Sequence, residues 1–202
     1  MRNKNLMLGA LVLSVALVAT GCAKPPQTEL DAAKASMDAA SAEAQKYAAD
    51  SWVKAQDAMN AVNAELEAQN AKFALFRSYT KSKELIAAAN QAVTDASAEA
   101  VTGKENARTA AATAVQAAKD AVTAAQTAMT ELDACPRKPK GYAKDMEIMK
   151  GSWDALSAQL ADLDAKLAAE DFLGAQTAAD AVKGQADTLT NDLRAAKEKI
   201  KC

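Results

Sequence analysis

The residue types that most often carry catalysis and metal binding are scarce in this sequence. Its 202 residues include three cysteines and no histidine. Without histidine there is no Ser-His-Asp or Cys-His nucleophile pair and no histidine-ligated zinc, iron or haem. Ser51 with Lys54 and Ser78 with Lys81 have the S-x-x-K spacing of penicillin-binding enzymes, but neither S-D-N nor K-T-G accompanies them. We interpret both as chance matches, and we expect a protein that is not an enzyme, with no cofactor and no metal site.

The first cysteine follows a short export signal. A positively charged start precedes a largely apolar stretch over residues 6–20, as in a secretory signal. These fifteen residues are fewer than the ~20 that span a bilayer. Gly21 and Cys22 close the stretch and resemble a bacterial lipobox, although Ala19 stands where leucine is usual. We predict that residues 1–21 are a lipoprotein signal peptide and that Cys22 is lipidated, with an ordinary signal peptide as the alternative.

The residues after Cys22 predict where the protein resides. In lipoprotein sorting in Gram-negative bacteria, which this signal resembles, a residue other than aspartate after the lipidated cysteine directs the protein to the outer membrane, and Ala23 stands there. We expect an exported protein on the periplasmic face of the outer membrane, with residues 22–27 as a lipid-anchored tether. In a Gram-positive cell the same signal would mean the outer face of the only membrane. Export and a formal charge of −2 argue against nucleic acid as a partner.

The remaining chain is predicted to be entirely helical. Alanine supplies about a quarter of the residues, and it is the best helix former. Apolar residues follow a 3-4 spacing from Leu30 to Leu66, with one extra four-residue step between Ala44 and Trp52. We read this as one long helix that pairs with a second helix to form an antiparallel helical hairpin over residues 28–102. Phe73 and Phe76 are expected on the apolar seam of that second helix.

The second half of the sequence predicts a three-helix bundle. Two prolines and a glycine within residues 135–141 mark a linker between helices. The fold class is therefore all-α: the long hairpin leads into a three-helix bundle over residues 103–202, elongated, with coiled-coil-like seams. Whether the helix continues through Gly103 stays open. The densest core is expected at Trp153, Leu156, Leu160 and Leu163.

Two cysteines remain for a disulfide. Cys135 ends the first helix of the bundle, and Cys202 ends the third. Two further antiparallel helices return the chain to the starting end, so the topology brings this pair together. The exported compartment is oxidising, so we predict an intramolecular Cys135–Cys202 bond, with free thiols or an intermolecular bridge as alternatives.

The same topology gathers positive charge at one end of the bundle, which we call the basic pole. A basic surface on an acidic protein can dock on lipid headgroups, anionic wall polymers or an acidic protein. A solvated helix end is the alternative, since lysine and arginine also suit the C-terminal helix dipole. The pole consists of Arg137, Lys138, Lys140, Lys144, Arg194, Lys197, Lys199 and Lys201.

Roughly residues 20–100 resemble a known but uncharacterised family. The lipobox, the proline-containing tether, residues 30–33 (LDAA), 44–48 (AQKYA) and the alanine run at 87–92 carry the resemblance. The family consists of Ala-rich helical bacterial envelope lipoproteins, a domain of unknown function that is sometimes fused to domains like that of outer-membrane protein A. The resemblance implies a helical envelope lipoprotein and supplies no activity.

These observations favour a non-enzymatic, lipid-anchored spacer, scaffold or adaptor in the cell envelope. Its expected partners are the membrane, through the lipid anchor, and an unidentified envelope protein or an anionic wall or lipid surface. A binding module that carries an apolar ligand between its helices is the alternative. The oligomeric state stays open.

Overall fold

Five α-helices make up most of the described chain in the computed structural model, which covers residues 24–202. They are α1 (Gln27–Tyr47), α2 (Ala49–Asn70), α3 (Thr80–Asp133), α4 (Tyr142–Ala168) and α5 (Phe172–Lys199). A short 3₁₀ turn, Ala74–Phe76, lies between α2 and α3, and residues 24–202 contain no strand. The predicted all-α fold is confirmed. Gly103 lies inside α3 without interrupting the helix.

The chain divides into two compact units, one ending at Val101 and one beginning at Thr102. Each unit has hydrophobic clusters of its own, drawn from three helical segments. The first uses α1, α2 and the N-terminal part of α3. The second uses the rest of α3 with α4 and α5.

The first unit contains three helical segments, so the predicted two-helix hairpin over residues 28–102 is wrong. The helix breaks at Ala48, whose φ of −143° and ψ of 48° are not helical. Leu30 packs in one cluster with Leu66 and Tyr79, while Ala44 packs with Trp52 in another. The first and last turns of the apparent single helix therefore meet, and α1 lies antiparallel to α2.

This break coincides with the extra step in the heptad pattern. All the residues of the predicted seam are buried or half-buried, on both sides of Ala48. A straight helix would leave the seam on one long face, whereas folding back at Ala48 encloses it between α1, α2 and α3. Burial of this apolar surface outweighs the helix propensity of alanine, which differs from that of ordinary residues other than glycine and proline by less than about 1 kcal/mol.

The connection between α2 and α3 also differs from the prediction. Phe73 and Phe76 were expected on a helical seam, but they lie in the loop and its 3₁₀ turn, with 69% and 75% of their surface exposed. The apolar face of α3 begins one residue before the helix, at Tyr79, which is buried, and continues with Ile86.

The second unit encloses a core between an alanine-rich face of α3 and larger residues of α4 and α5. Leu163 and Leu193 are almost fully buried, and Ala118 and Ala125 of α3 have no exposed surface. Small residues on one helix let the large side chains of its neighbours fill the space between them.

The predicted densest core is only partly correct. Leu156 and Leu163 are buried, whereas Trp153 and Leu160 are half-buried and pack at the margin of the core. The Trp153 indole N–H donates a 3.2 Å hydrogen bond to the Val122 carbonyl of α3. An indole that must reach a backbone carbonyl lies at the edge of the helix interface, where its polar atom is satisfied.

Two glycines shape the ends of α4 and α5. Gly141, at the start of α4, has a φ of 92°, a conformation that L side chains rarely adopt. Asp171 caps α5 by accepting a hydrogen bond from the Gly174 amide. A Cβ at position 174 would collide with the Asp171 carboxylate, so glycine at this position makes room for the cap.

Candidate functional site

The basic pole forms where the linker between α3 and α4 meets the end of α5. Cys135 and Cys202 lie at disulfide distance, with their Cα atoms 5.7 Å apart. The backbone amide of Cys202 donates to the carbonyl of Lys197 at 3.4 Å, so the residues after α5 stay close to the helix. The structure thus brings together the two basic segments that were predicted to meet.

Two of the eight cations form ion pairs with the end of α3. Lys138 Nζ lies 3.0 Å from Asp133 Oδ1, and Lys197 Nζ lies 2.9 Å from Glu131 Oε2. These hydrogen bonds lower the pKa of the Asp133 and Glu131 carboxyls and raise the pKa of Lys138. Both pairs are exposed, so they order the side chains and contribute little to stability.

The other six cations are spread over the surface of the pole. In the second unit, all of which is described, no ion pair involves Arg137, Lys140, Lys144, Arg194, Lys199 or Lys201 within 4.0 Å. The same segments also carry acidic residues, namely Glu131, Asp133, Asp145, Glu147, Asp192 and Glu198. Eight cations against six carboxylates leave a modest positive excess, with the cations concentrated in the linker and after α5.

An apolar groove opens between α4 and α5 beside the pole. Its volume is about 540 Å³. Apolar side chains form most of its wall, and Ile148, which is 61% exposed, lies at its edge. Polar residues at the rim include Asp145, Asp192 and Lys199, which is also a member of the basic pole. The apolar lining includes Leu132, Met146, Met149, Leu189 and Ile200.

Tyr142 connects the groove to the pole. Its hydroxyl donates a 3.0 Å hydrogen bond to the Leu132 carbonyl and lies 3.3 Å from Asp133 Oδ1. Lys138 Nζ stands 5.3 Å from the centre of the ring, within reach of a cation–π interaction. Burial raises the pKa of the Tyr142 hydroxyl, and the negative charge of the nearby Asp133 raises it further. Tyr142 thus holds the linker, the end of α3 and the start of α4 together.

Residues singled out for other chemistry lie elsewhere. Cys22 and the predicted signal peptide fall outside the described residues. Ser51 is buried and donates to Glu99, and Lys81 forms a 3.3 Å ion pair with Glu65. Between residues 24 and 202 no group of three or more His, Cys, Asp or Glu side chains is arranged to hold a metal ion.

Two surface features were missed by the sequence reasoning. The groove was missed because the spacing of residues along one helix does not show where two helices diverge. The exposure of Phe73 and Phe76 was missed because their three-residue spacing also fits a helical seam, and Leu75 was not singled out. The run at residues 69–72 predicts a turn between the two helices, and in the structure this connection continues as far as Tyr79.

Comparisons with known proteins found no match for this chain. No family model matches it, and no curated protein or solved structure is significantly similar. The resemblance to Ala-rich envelope lipoproteins therefore stays a prediction. In the described part of the chain, no helix combines the length and the apolar character that crossing a membrane requires.

Proposed function

We propose that this chain is a non-enzymatic, lipid-anchored protein of the cell envelope that acts as a helical spacer, scaffold or adaptor. Cys22 would anchor it to the periplasmic face of the bacterial outer membrane, and the basic pole would dock on an anionic wall polymer, lipid surface or acidic envelope protein. The observation that carries the docking role is the meeting of the linker and the C-terminal segment at Cys135 and Cys202, which collects cations from two distant parts of the chain.

The anchor is tested by labelling. A radiolabelled fatty acid should enter the wild-type full chain in cells and should not enter a Cys22→Ala variant. A Cys135→Ala variant is the matched control, because it also removes one cysteine and should keep the label. Membrane-bound wild-type protein without label would contradict lipidation.

The docking role is tested with charge reversal. Replacing Lys138, Lys140, Lys199 and Lys201 by glutamate should weaken retention of the detergent-solubilised full chain on purified cell walls. Wild-type retention should also fall with added salt, because exposed charges are screened over ~8–10 Å at physiological ionic strength. A control with the same charge change replaces the exposed residues Lys34, Lys54, Arg108 and Lys183, which lie outside the pole. Equal retention of the two variants would contradict docking through the pole.

The groove supports a second candidate, the binding of an apolar ligand. Its volume of about 540 Å³ falls within the range of small-molecule sites, whereas the interior between α3, α4 and α5 is filled by the core. The full chain should then bind a fluorescent fatty-acid probe, and Met149→Glu should abolish binding by placing a charge in the groove. Met37→Glu, at a half-buried methionine of the first unit, is the control. Equal probe binding by both variants would exclude the groove as the binding site of the probe.

A further inference from the structure

We propose that the loop between α2 and α3 is a second membrane contact, which inserts Phe73, Leu75 and Phe76 into the interface of an anionic phospholipid bilayer. We call these three side chains the apolar tip. The inference deepens the proposed anchoring at Cys22 and rests on it only for the choice of membrane face.

The apolar tip is the most exposed apolar cluster in the described chain. Phe73, Leu75 and Phe76 have 69%, 73% and 75% of their surface exposed, and they lie within four consecutive positions. The two phenylalanine rings are 6.4 Å apart between centroids. Scattered exposed apolar residues are normal, but a contiguous exposed patch marks an interaction surface.

Buried polar residues hold the loop in this conformation. Gln69 is buried, and its side-chain oxygen accepts from the Ser78 backbone amide at 3.0 Å and from Lys72 Nζ at 3.2 Å. Tyr79 is also buried, and its hydroxyl donates to Asn70 Oδ1 at 3.0 Å. The apolar tip is therefore presented by a braced loop, and little ordering is needed when it enters a membrane.

Arg77 adds a second brace across the loop. Its Nε donates to the Lys72 carbonyl and its Nη2 to the Asn70 carbonyl, both at 3.0 Å. The guanidinium thus closes the loop on itself just beyond Phe76. Replacing it would loosen the loop without removing any apolar side chain.

Two cations flank the tip and favour an anionic bilayer as the occupant. Lys72 precedes Phe73 and Arg77 follows Phe76, and their nitrogens donate to neutral amide and carbonyl oxygens. Glu65 attracts Lys72 and pairs with Lys81, so three cations, Lys72, Arg77 and Lys81, stand against this one carboxylate at the base of the tip. A basic residue near an anionic membrane surface contributes roughly 1 kcal/mol of attraction. Aromatic and leucine side chains between basic residues match the apolar and headgroup layers of the interface.

The tip also lies at the end of the first unit from which the N-terminal segment departs. Leu30 packs with Leu66 and Tyr79, and Glu29 lies 3.7 Å from Lys83, so the start of α1 adjoins the residues that flank the loop. Pro26, which directly precedes α1, is buried. Cys22 precedes Pro26 by four residues, and a fully extended chain covers at most ~14 Å over that distance. An anchor at Cys22 would hold this end of the unit against the bilayer.

The proposal is tested by fluorescence quenching in vesicles. The full chain with Phe76→Trp is reconstituted in vesicles of phosphatidylethanolamine and phosphatidylglycerol, with and without brominated acyl chains. Val53→Trp is the matched control, because Val53 is an exposed apolar residue at the other end of α2. The native tryptophans, Trp52 and Trp153, give the baseline, which is subtracted. The added emission should be quenched several-fold more at position 76 than at position 53.

Each combination of results separates the tip from the anchor. Equal quenching at positions 76 and 53 in a protein that incorporates fatty acid at Cys22 would overturn the tip and leave the anchor standing. Strong quenching at position 76 with no fatty acid at Cys22 would support the tip and overturn the lipid anchor. Quenching that persists in vesicles of neutral phosphatidylcholine alone would overturn the anionic preference. If the Phe76→Trp variant loses helical circular dichroism, the same quenching is measured with Phe73→Trp.

Discussion

The two interhelical loops that connect α2 to α3 and α3 to α4 expose different kinds of side chain but are held in place by similar contacts. The loop of the first unit, residues 71–79, exposes three large apolar side chains, and it is braced by Gln69, Arg77 and Tyr79. The loop of the second unit, residues 134–141, exposes cations, and it is braced by Tyr142 and the Cys135–Cys202 pair. Both loops are held by contacts to the ends of their own helices.

The difference lies in which contacts each surface can make. An apolar surface gains free energy by leaving water, an effect that depends weakly on salt. A charged surface gains by long-range attraction, which salt screens. The contact proposed for the first unit would combine apolar burial with charge attraction, so added salt should weaken it only in part. The contact proposed for the basic pole would rest on charge, so added salt should weaken it throughout.

The largest effect is expected from reducing the Cys135–Cys202 bond, because it holds the loop of the second unit and leaves the first unit unchanged. Reducing the Cys135–Cys202 bond should destabilise the second unit by about 4 kcal/mol, the loop-entropy value for a separation of 67 residues. Helix content at low temperature should change little, because the helices keep their other contacts. Thermal unfolding followed by circular dichroism measures this, and the first unit is an internal control. An unchanged unfolding profile after reduction would show that Tyr142 and the core maintain the stability of the second unit without the bond.

The next effect concerns the apolar tip. Trypsin cleaves after Lys72 and Arg77, and a docked tip shields both bonds. Replacing Phe73, Leu75 and Phe76 by serine should speed this cleavage about tenfold in vesicle-bound full chain, which corresponds to ~1.4 kcal/mol of docking. Cleavage after Lys140 in the other loop is the matched control and should not change. Equal acceleration at Lys140 would indicate general loosening and not undocking.

A smaller effect is expected from the arginine brace. Arg77→Gln removes two hydrogen bonds of a half-buried residue and should destabilise the first unit by about 1 kcal/mol. Arg108→Gln is the control, because Arg108 makes an even shorter pair with Glu105, at 2.7 Å, on an exposed helix face, where such pairs contribute less than about 0.5 kcal/mol. Chemical denaturation of both variants measures the difference. Similar losses would mean that Arg77 is as dispensable as a surface ion pair.

The smallest effect is the pH response of the basic pole. The pKa values of Glu131 and Asp133 are lowered by hydrogen bonds from Lys197 and Lys138. A lowered carboxyl pKa contributes stability above the unfolded value, near 4, and this contribution is lost as the pH falls through the folded value. Stability of the second unit should be flat from pH 8 to about 5 and decline slightly below about 4. Glu131→Gln with Asp133→Asn should flatten that decline, and an unaltered acid limb would assign it to other carboxyls.

The sequence predicted the elements whose signals are local. Two prolines and a glycine mark residues 135–141 as a linker, and counting two further helices was enough to bring Cys202 back to Cys135. The apolar seam of α1 and α2 was also read correctly, residue by residue. In each case the signal lies in residue type or spacing along the chain.

The missed features depend on packing in three dimensions. Alanine at position 48 gives no local reason for a helix to stop, and only the return of Leu30 to Leu66 accounts for the break. Phe73 and Phe76 have a spacing that a helix also permits, so periodicity alone could not place them in solvent. Trp153 and Leu160 are half-buried although Leu156 and Leu163 of the same helix are buried, so the difference lies in the position of each residue around α4 and not in side-chain type.

The bond at Cys135 also determines how the second unit would bear mechanical load. A pulling force applied at Cys202 passes through the bond directly to the end of α3 and bypasses α4 and α5. The chain between the cysteines, a separation of 67 residues, could therefore not extend under this force. Its extended length would be about 220–240 Å at 3.3–3.6 Å per residue. A spacer between two surfaces that move apart would keep α4 and α5 folded under tension, and only the chain before Cys135 would lengthen.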